Sequence, residues 1–391
     1  MSLDMLALGG QVREMAHAIG DDARTLADRL QAARDLLKAQ AADWEFWGDA
    51  IQENRHKQAW LVARPLESMV ATHDLPPCPR AYAVAAADGS QLDIDRHGIA
   101  DCWVVNIGTA ALTYGSEPAF RAASLPKLGY RDDDLAIYDR RSGREYAVTG
   151  PVLAAHRDLY EGLGLAEVAL GLPEELPRVA LQDGTLIRWT LQGFEPWLLN
   201  HFLGDYLGFL ETMRALPCPL ASYLSRPRSP EVTGLIQYLH VQGDWERWKT
   251  DYPRRSASPF RGVADHLLFD ALLEPGQRSA RFQSMSKINV EHYPPPHTIE
   301  FFYLKVGREV ARVEFPSWVA ESDLDLLHAV VYDQCQRGMG YPVALQRAHE
   351  QAVIHDGDRR QMQALIERLF AASAVPTWRS AKSVSKLRPG L

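Results

Sequence analysis

Ala81-Tyr82-Ala83-Val84-Ala85-Ala86-Ala87-Asp88-Gly89-Ser90-Gln91 is the stretch whose reading decides the fold. It is an apolar run of strand length that ends in Asp, then Gly, then a small hydroxyl residue. Further along, Arg178-Val179-Ala180-Leu181-Gln182-Asp183-Gly184-Thr185-Leu186 repeats the pattern. A continuous apolar run of this length suits a strand buried on both faces. An Asp at its end can leave the sheet into a cleft, and the Gly lets the backbone turn there without a Cβ clash. Either copy alone reads as an ordinary Asp-Gly turn. Two copies in like contexts point to two carboxylates, brought together by adjacent strands, that hold a divalent cation.

The bulk composition is compatible with such a site. At 391 residues, 46% hydrophobic and 24% charged, the chain reads as one large or two ordinary folded domains. No apolar run approaches the roughly 20 residues needed to cross a bilayer. Met1 to Gly20 lacks the basic-then-apolar order of a signal peptide. Cys78, Cys102, Cys218 and Cys335 show no CxxC spacing, which argues against zinc and disulfides and for a reducing cytoplasm. The net charge of −8 excludes a simple nucleic-acid coat protein. It leaves room for a nuclease, whose acidic metal site and locally basic groove coexist with an acidic total.

From Leu3 to Val70 the pattern is helical, with Leu26, Leu30, Ala33 and Leu37 on one stripe that Trp44, Trp47 and Ile51 continue. This arm, residues 1–75, either packs on its own domain or pairs with a second subunit, and pairing is the preferred reading. The prolines of Thr72–Arg80 read as a linker. Beyond Asp88, Ile99–Ile107 and Ala110–Tyr114 read as two more strands of an antiparallel meander. Pro126–Gly143 reads as an exposed loop whose Asp132, Asp133 and Asp134 are solvated. Pro151–Leu170 is a helix with Val152, Leu159, Leu163 and Leu170 on its main apolar face. Glu161 falls on the opposite side, yet among Ala154, Leu165 and Val168, where a carboxylate is costly unless paired or bound to a cation. Glu167 is the reserve candidate.

A long amphipathic helix follows over Phe194–Leu216, and Ser229-Pro230-Glu231 opens another. Between Trp245 and Arg261, aromatics interleave with Arg247, Lys249, Arg254 and Arg255, the composition of a surface that stacks on bases and neutralises phosphates. Asp244, Glu246 and Asp251 dilute it, and an ordinary charged loop is the competing reading. Thr298–Val306 and Glu309–Phe315 form a hairpin, with Phe301, Tyr303 and Lys305 on one side of its first strand. Ser322 caps a helix to Arg337, and Tyr341-Pro342 starts the next, where His349 lies beside the apolar stripe of Leu345, Ala348 and Ala352. Residues 376–391 form a basic tail, with Arg379, Lys382, Lys386 and Arg388 and no acid, suited to phosphate or simply frayed.

Several of these segments, in order, resemble the NurA nuclease family. They are Val84 through Asp88-Gly89-Ser90, Val104-Val105-Asn106-Ile107-Gly108, Arg157-Asp158-Leu159-Tyr160-Glu161, Asp183-Gly184-Thr185-Leu186-Ile187, Phe301-Phe302-Tyr303-Leu304, Ala311-Arg312-Val313-Glu314, and Gly340-Tyr341-Pro342 through Ala348-His349-Glu350. Thr185 stands where many members have Ser and keeps the hydroxyl. The resemblance implies an α/β fold, a ribonuclease H-like mixed sheet flanked by helices, over residues 76–375. It implies a manganese-dependent nuclease that resects DNA 5′ to 3′ and cuts single strands. It implies a homodimer that works beside HerA, a hexameric DNA-pumping ATPase.

Carried onto this chain, the resemblance makes Asp88, Asp183, Glu161 and His349 the metal and catalytic residues, and Tyr303 the tyrosine near the site. Hard carboxylate oxygens suit Mn²⁺ or Mg²⁺, and an imidazole favours Mn²⁺. On that reading Asp88 bridges two ions, Asp183 and Glu161 fix one each, and His349 ligates or shuttles a proton. Tyr303 and Lys305 orient the phosphate. The alternative function is a catalytically weak adaptor that grips DNA and caps a motor ATPase. Intact acids and histidine argue against that alternative.

Overall fold

The computed structural model describes residues 4–57, 61–94 and 100–373. The basic tail and the start of the expected strand at Ile99 lie outside the described residues. The chain divides into two compact units, Met1–Leu75 with Leu224–Ser317, and Pro76–Tyr223 with Trp318–Leu391.

The unit that begins at Pro76 carries both Asp-Gly motifs. Its main sheet is built from β1 (Tyr82–Leu92), β2 (Trp103–Tyr114), β3 (Ala119–Gly129), β4 (Arg178–Asp183) and β5 (Leu220–Leu224). They stand in the order β3-β2-β1-β4-β5. The first three pair as an antiparallel meander, whereas β1, β4 and β5 run parallel. The helices are α1 (Pro151–Leu170), α2 (Pro196–Ala215), α3 (Glu321–Arg337), α4 (Val343–Ala352) and α5 (Asp356–Ala372). With α1 and α4 packed on β1 and β2, this is the mixed sheet flanked by helices expected of a ribonuclease H-like core. Ala83 through Ala87 and Val179 through Leu181 are wholly buried, as parallel strands covered on both faces require.

Three local expectations are corrected. The second and third strands of the meander were expected at Ile99–Ile107 and Ala110–Tyr114, but Trp103–Tyr114 is one strand. Gly108 does not turn the chain; a Cβ there would overlap the Ala348 carbonyl oxygen and the Ala352 nitrogen, so the glycine lets α4 lie directly on β2. Pro126–Gly143 is not a loop, since β3 runs to Gly129 and Ala136–Asp139 pairs with Arg144–Ala147. On α1, Leu163 and Leu170 are 48% and 58% exposed, so the buried face is the one that carries Glu161. Gly162 and Gly164, which weaken the helix locally, permit this approach. A Cβ on Gly162 would stand 2.9 Å from the Phe209 ring, and one on Gly164 3.1 Å from Ile107.

The other unit opens with the helices Met5–Ala39 and Trp44–Glu53. Ala33, Leu37, Trp47 and Ile51 are buried in this unit's own core with Ile236, Phe269, Phe282 and Phe301. The helical region ends earlier than expected, because Ala63–Pro65 is a strand paired with Phe282–Ser284, a partner too distant in sequence for local periodicity to reveal. Ile299–Val306 and Glu309–Pro316 form the expected hairpin. No helix among the described residues is long and apolar enough to cross a membrane.

Candidate active site

Asp88 and Asp183 stand where the parallel half of the sheet stops. The β1–β4 ladder ends at Ala87 opposite Gln182, so the next residue on each strand is the aspartate. Neighbouring strands in register turn the same side chains to the same face. The two glycines that follow serve different purposes. Gly184 takes a φ of 76°, open to glycine, and ends β4. Gly89 stays inside β1, which continues to Leu92, and is needed because a Cβ would lie 2.8 Å from Arg157 Cγ and 3.2 Å from Glu161 Oε2. The first motif is therefore a close approach rather than the expected turn.

On the Asp88 face lies α4. His349 Nδ1 meets Asp88 Oδ2 at 2.6 Å. The register of α4 is fixed by Asn106, whose amide donates to the Gln351 and Ala352 carbonyls at 2.9 Å each, and by Ser90 Oγ, which donates to Ala352 O at 2.5 Å. An Nδ1–H donated to the carboxylate leaves Nε2 with a lone pair. The imidazole is 61% exposed, so that nitrogen is accessible from outside. Tyr341, at the start of the same segment, donates its hydroxyl to Asp183 Oδ1 at 2.6 Å.

On the Gly89 face lies Glu161. Its carboxyl is buried, and Oε1 has no hydrogen-bond partner among the described residues. Burial pushes its pKa well above the usual carboxylate value, the Asp158 and Asp88 charges add to the rise, and Arg188 opposes it. Arg188 is held at 3.3 Å from Asp158 and lies over the Tyr206 ring. The Asp183 carboxyl is also raised, first by burial and then by the Asp88 charge, against the Tyr341 hydrogen bond. Glu167, the reserve candidate, is exposed.

The remaining expected residues stand elsewhere. Tyr303 is entirely buried in the unit that contains the hairpin, and its hydroxyl donates to Asp265 at 2.8 Å. With no exposed atom it has nothing to offer a phosphate, and the tyrosine found on a site carboxylate is Tyr341. Lys305 is likewise engaged, donating to the Asp270 carbonyl at 2.7 Å. The helix Trp245–Asp251 sorts the interleaved residues by face. Trp245 and Trp248 stack 5.2 Å apart in the core, while Arg247 and Lys249 pair on the surface with Asp251 and Glu246. Arg254 and Arg255 are exposed. Tyr341, Asp158 and Arg188 were not singled out as site residues from the sequence; only their presence inside quoted motifs, or just beyond one, marked them.

As the side chains stand, no three His, Cys, Asp or Glu groups among the described residues form an ion's ligand set. Present instead are the Asp88–His349 pair and two carboxyls that feel the Asp88 charge. The unmatched oxygen of Glu161 and the crowding of negative charge on Asp183 are features that a divalent cation relieves. Three hard carboxylates and an imidazole therefore fit Mn²⁺ or Mg²⁺ by donor chemistry.

The two aspartates at the end of the paired parallel strands, with the helical His349 on Asp88 and the helical Glu161 against Gly89, make up an acidic site. The NurA domain model matches residues 82–354, and the chain belongs to that family. Among solved structures, the NurA nuclease from Sulfolobus solfataricus is similar with a TM-score of 0.50 at 14% identity, over 93% of this chain and 98% of that one. A NurA solved with manganese gives a TM-score of 0.40 at 11% identity, over 76% of this chain and 91% of that one. No curated protein matches significantly by sequence.

Proposed function

We propose that this chain is a metal-dependent deoxyribonuclease that hydrolyses phosphodiester bonds, with Mn²⁺ as the preferred ion and Mg²⁺ as the alternative. The observation that carries the proposal is the pair of aspartates at the end of the β1–β4 ladder, one against His349 and the other against Tyr341. Family membership supports the same reading, and the solved relative from Sulfolobus is described as a nuclease.

Asp88, Asp183, Glu161 and His349 are the residues that would hold the metal. Bound there, a divalent cation supplies a lowered pKa for the attacking water and neutralises charge on the phosphate. The Tyr341 hydroxyl donates to Asp183 Oδ1 and fixes the orientation of that carboxylate. The contact to Asp88 turns His349 Nε2 outward, where that one nitrogen would either ligate the ion or, left unligated, take a proton from the attacking water and return it to the leaving oxygen. Arg188 and Asp158, paired at 3.3 Å, set the charge around Glu161.

The finer reading is 5′ to 3′ exonuclease and single-strand endonuclease activity in DNA end resection, by a homodimer beside a HerA-like hexameric ATPase. The exposed apolar side chains Met5, Leu6, Val12, Met15 and Ile19 on the first helix support association with a second copy. A net charge of −8 supports a partner that delivers the strand, because unaided attraction to DNA is weak. The test is cleavage of single-stranded DNA with Mn²⁺, with and without that ATPase. Asp88→Ala should abolish cutting while the far-UV spectrum and melting remain those of a folded chain. Metal-dependent cutting retained by that variant overturns the assignment, and equal rates with and without the ATPase across physiological salt overturn the partnership.

A further inference from the structure

The unit formed by Met1–Leu75 and Leu224–Ser317 contains a cavity of about 100 Å³ that the chemistry above does not use. Trp248 and Tyr252 supply aromatic wall, and the exposed residues Arg254, Arg255 and Arg261 line its mouth. Among the described residues no acid lines it. Gln237, 3% exposed, contributes the polar part of the lining. Its Oε1 accepts from Ser258 Oγ at 2.6 Å, whereas its Nε2 is buried with no acceptor among the described residues. A buried donor left unmatched is costly and calls for an acceptor.

These features narrow the occupant. A purely apolar ligand would leave the Gln237 donor unmatched, and a bare inorganic anion would leave the aromatic wall against water. A planar ring carrying a hydrogen-bond acceptor, joined to a negative group, satisfies the wall, the amide and the arginines together. We propose that the cavity takes one nucleotide, with its base against the half-buried Tyr252, an acceptor on the base edge facing Gln237 Nε2, and its phosphate on the arginine mouth. Because every base offers both a flat face and an acceptor, the pocket grips DNA without reading sequence. The inference rests on the reading of the chain as a DNA-acting protein, and it assigns a strand-gripping site remote in sequence from the acids.

The test is fluorescence anisotropy on the full-length chain in EDTA, comparing labelled oligo(dT) with an abasic strand of equal length and charge. The wild type should bind the base-bearing strand about tenfold more tightly, the scale of one stacked base. Gln237→Met should shrink that ratio. The double variant Arg254→Ala/Arg255→Ala, altered only at exposed positions, should weaken both strands and flatten the salt dependence. Competition by dTMP indicates that a free nucleotide suffices; binding of the oligonucleotide without such competition assigns the pocket to the strand. Equal affinity of the wild type for the two strands overturns the proposal, as does an arginine variant that binds like wild type. Cleavage by the same preparation in Mn²⁺ is read separately. Base-dependent binding without cleavage sinks the nuclease reading and keeps the pocket; cleavage with base-independent binding does the reverse.

Discussion

Replacing Glu161 with Gln should make the metal-free protein more stable at neutral pH while destroying its activity. The Glu161 carboxyl is buried with Oε1 unpartnered, and its pKa is raised first by burial and then by Asp158 and Asp88. The folded state therefore holds the proton that the unfolded chain releases above its ordinary value of 4.5. Stability from this group is complete below that pH and is lost as pH rises, by up to about 1.4 kcal/mol per unit until the folded carboxyl ionises. Glutamine keeps the shape and does not titrate. At pH 7 the variant should gain up to about 3 kcal/mol, from about 1.4 kcal/mol for each pH unit above 4.5. That corresponds to about 2–4 °C in Tm per kcal/mol for a unit of this size. The assay is thermal melting in EDTA at pH 5 and pH 7, with the difference between variant and wild type taken at each pH so that other titrating groups cancel. Added Mn²⁺ should then raise the wild-type Tm more than that of the variant, because only the native carboxylate offers a charged ligand. A variant less stable than wild type by the same amount at both pH values would refute the reasoning.

Tyr341→Phe removes the hydroxyl that holds the Asp183 pKa down, so the acid limb of the pH–rate profile should move to higher pH, with about 1 kcal/mol of stability lost; an unmoved limb contradicts the role. Gly108→Ala drives a methyl group into the α4 backbone at Ala348 and Ala352 and should cost about 1–3 kcal/mol and most of the activity, read by melting and cleavage together. His156, stacked near Trp103 and Tyr160, has its pKa lowered to about 4, chiefly by burial. The folded state thus resists the proton that the unfolded chain takes up below pH 6.5, and stability should fall between pH 6.5 and 4. His156→Phe should flatten that fall in an acid-denaturation series.

The twin Asp-Gly strands were legible because each apolar run is short, continuous and interrupted by a charge at one end. Glu161 was legible as an acid among small apolar residues on a helix, although the face expected to be buried was the wrong one. Leucines at 163 and 170 outweighed the glycines at 162 and 164 in the periodicity, yet it is the glycine side that fits the sheet. Close approach was the feature hardest to read. Gly89 and Gly108 look like turn residues in one dimension and act as flat places for Glu161 and α4 in three. The choice of tyrosine failed for a related reason. Strand alternation places Tyr303 beside Phe301 but does not say that this face is core, and no local pattern ties Tyr341 to an aspartate far earlier in the chain. Among Trp245, Arg247, Trp248 and Lys249, the period of a single helix separates core from surface, which residue content alone does not convey.

Calorimetric titration of Mn²⁺ into the metal-free chain bears most directly on whether these acids form one metal site. The account predicts two ions per chain for the wild type, with binding weakened at least tenfold by Asp88→Ala and by Asp183→Asn in proteins that still melt cooperatively. Mn²⁺ binding undiminished in both variants would contradict it.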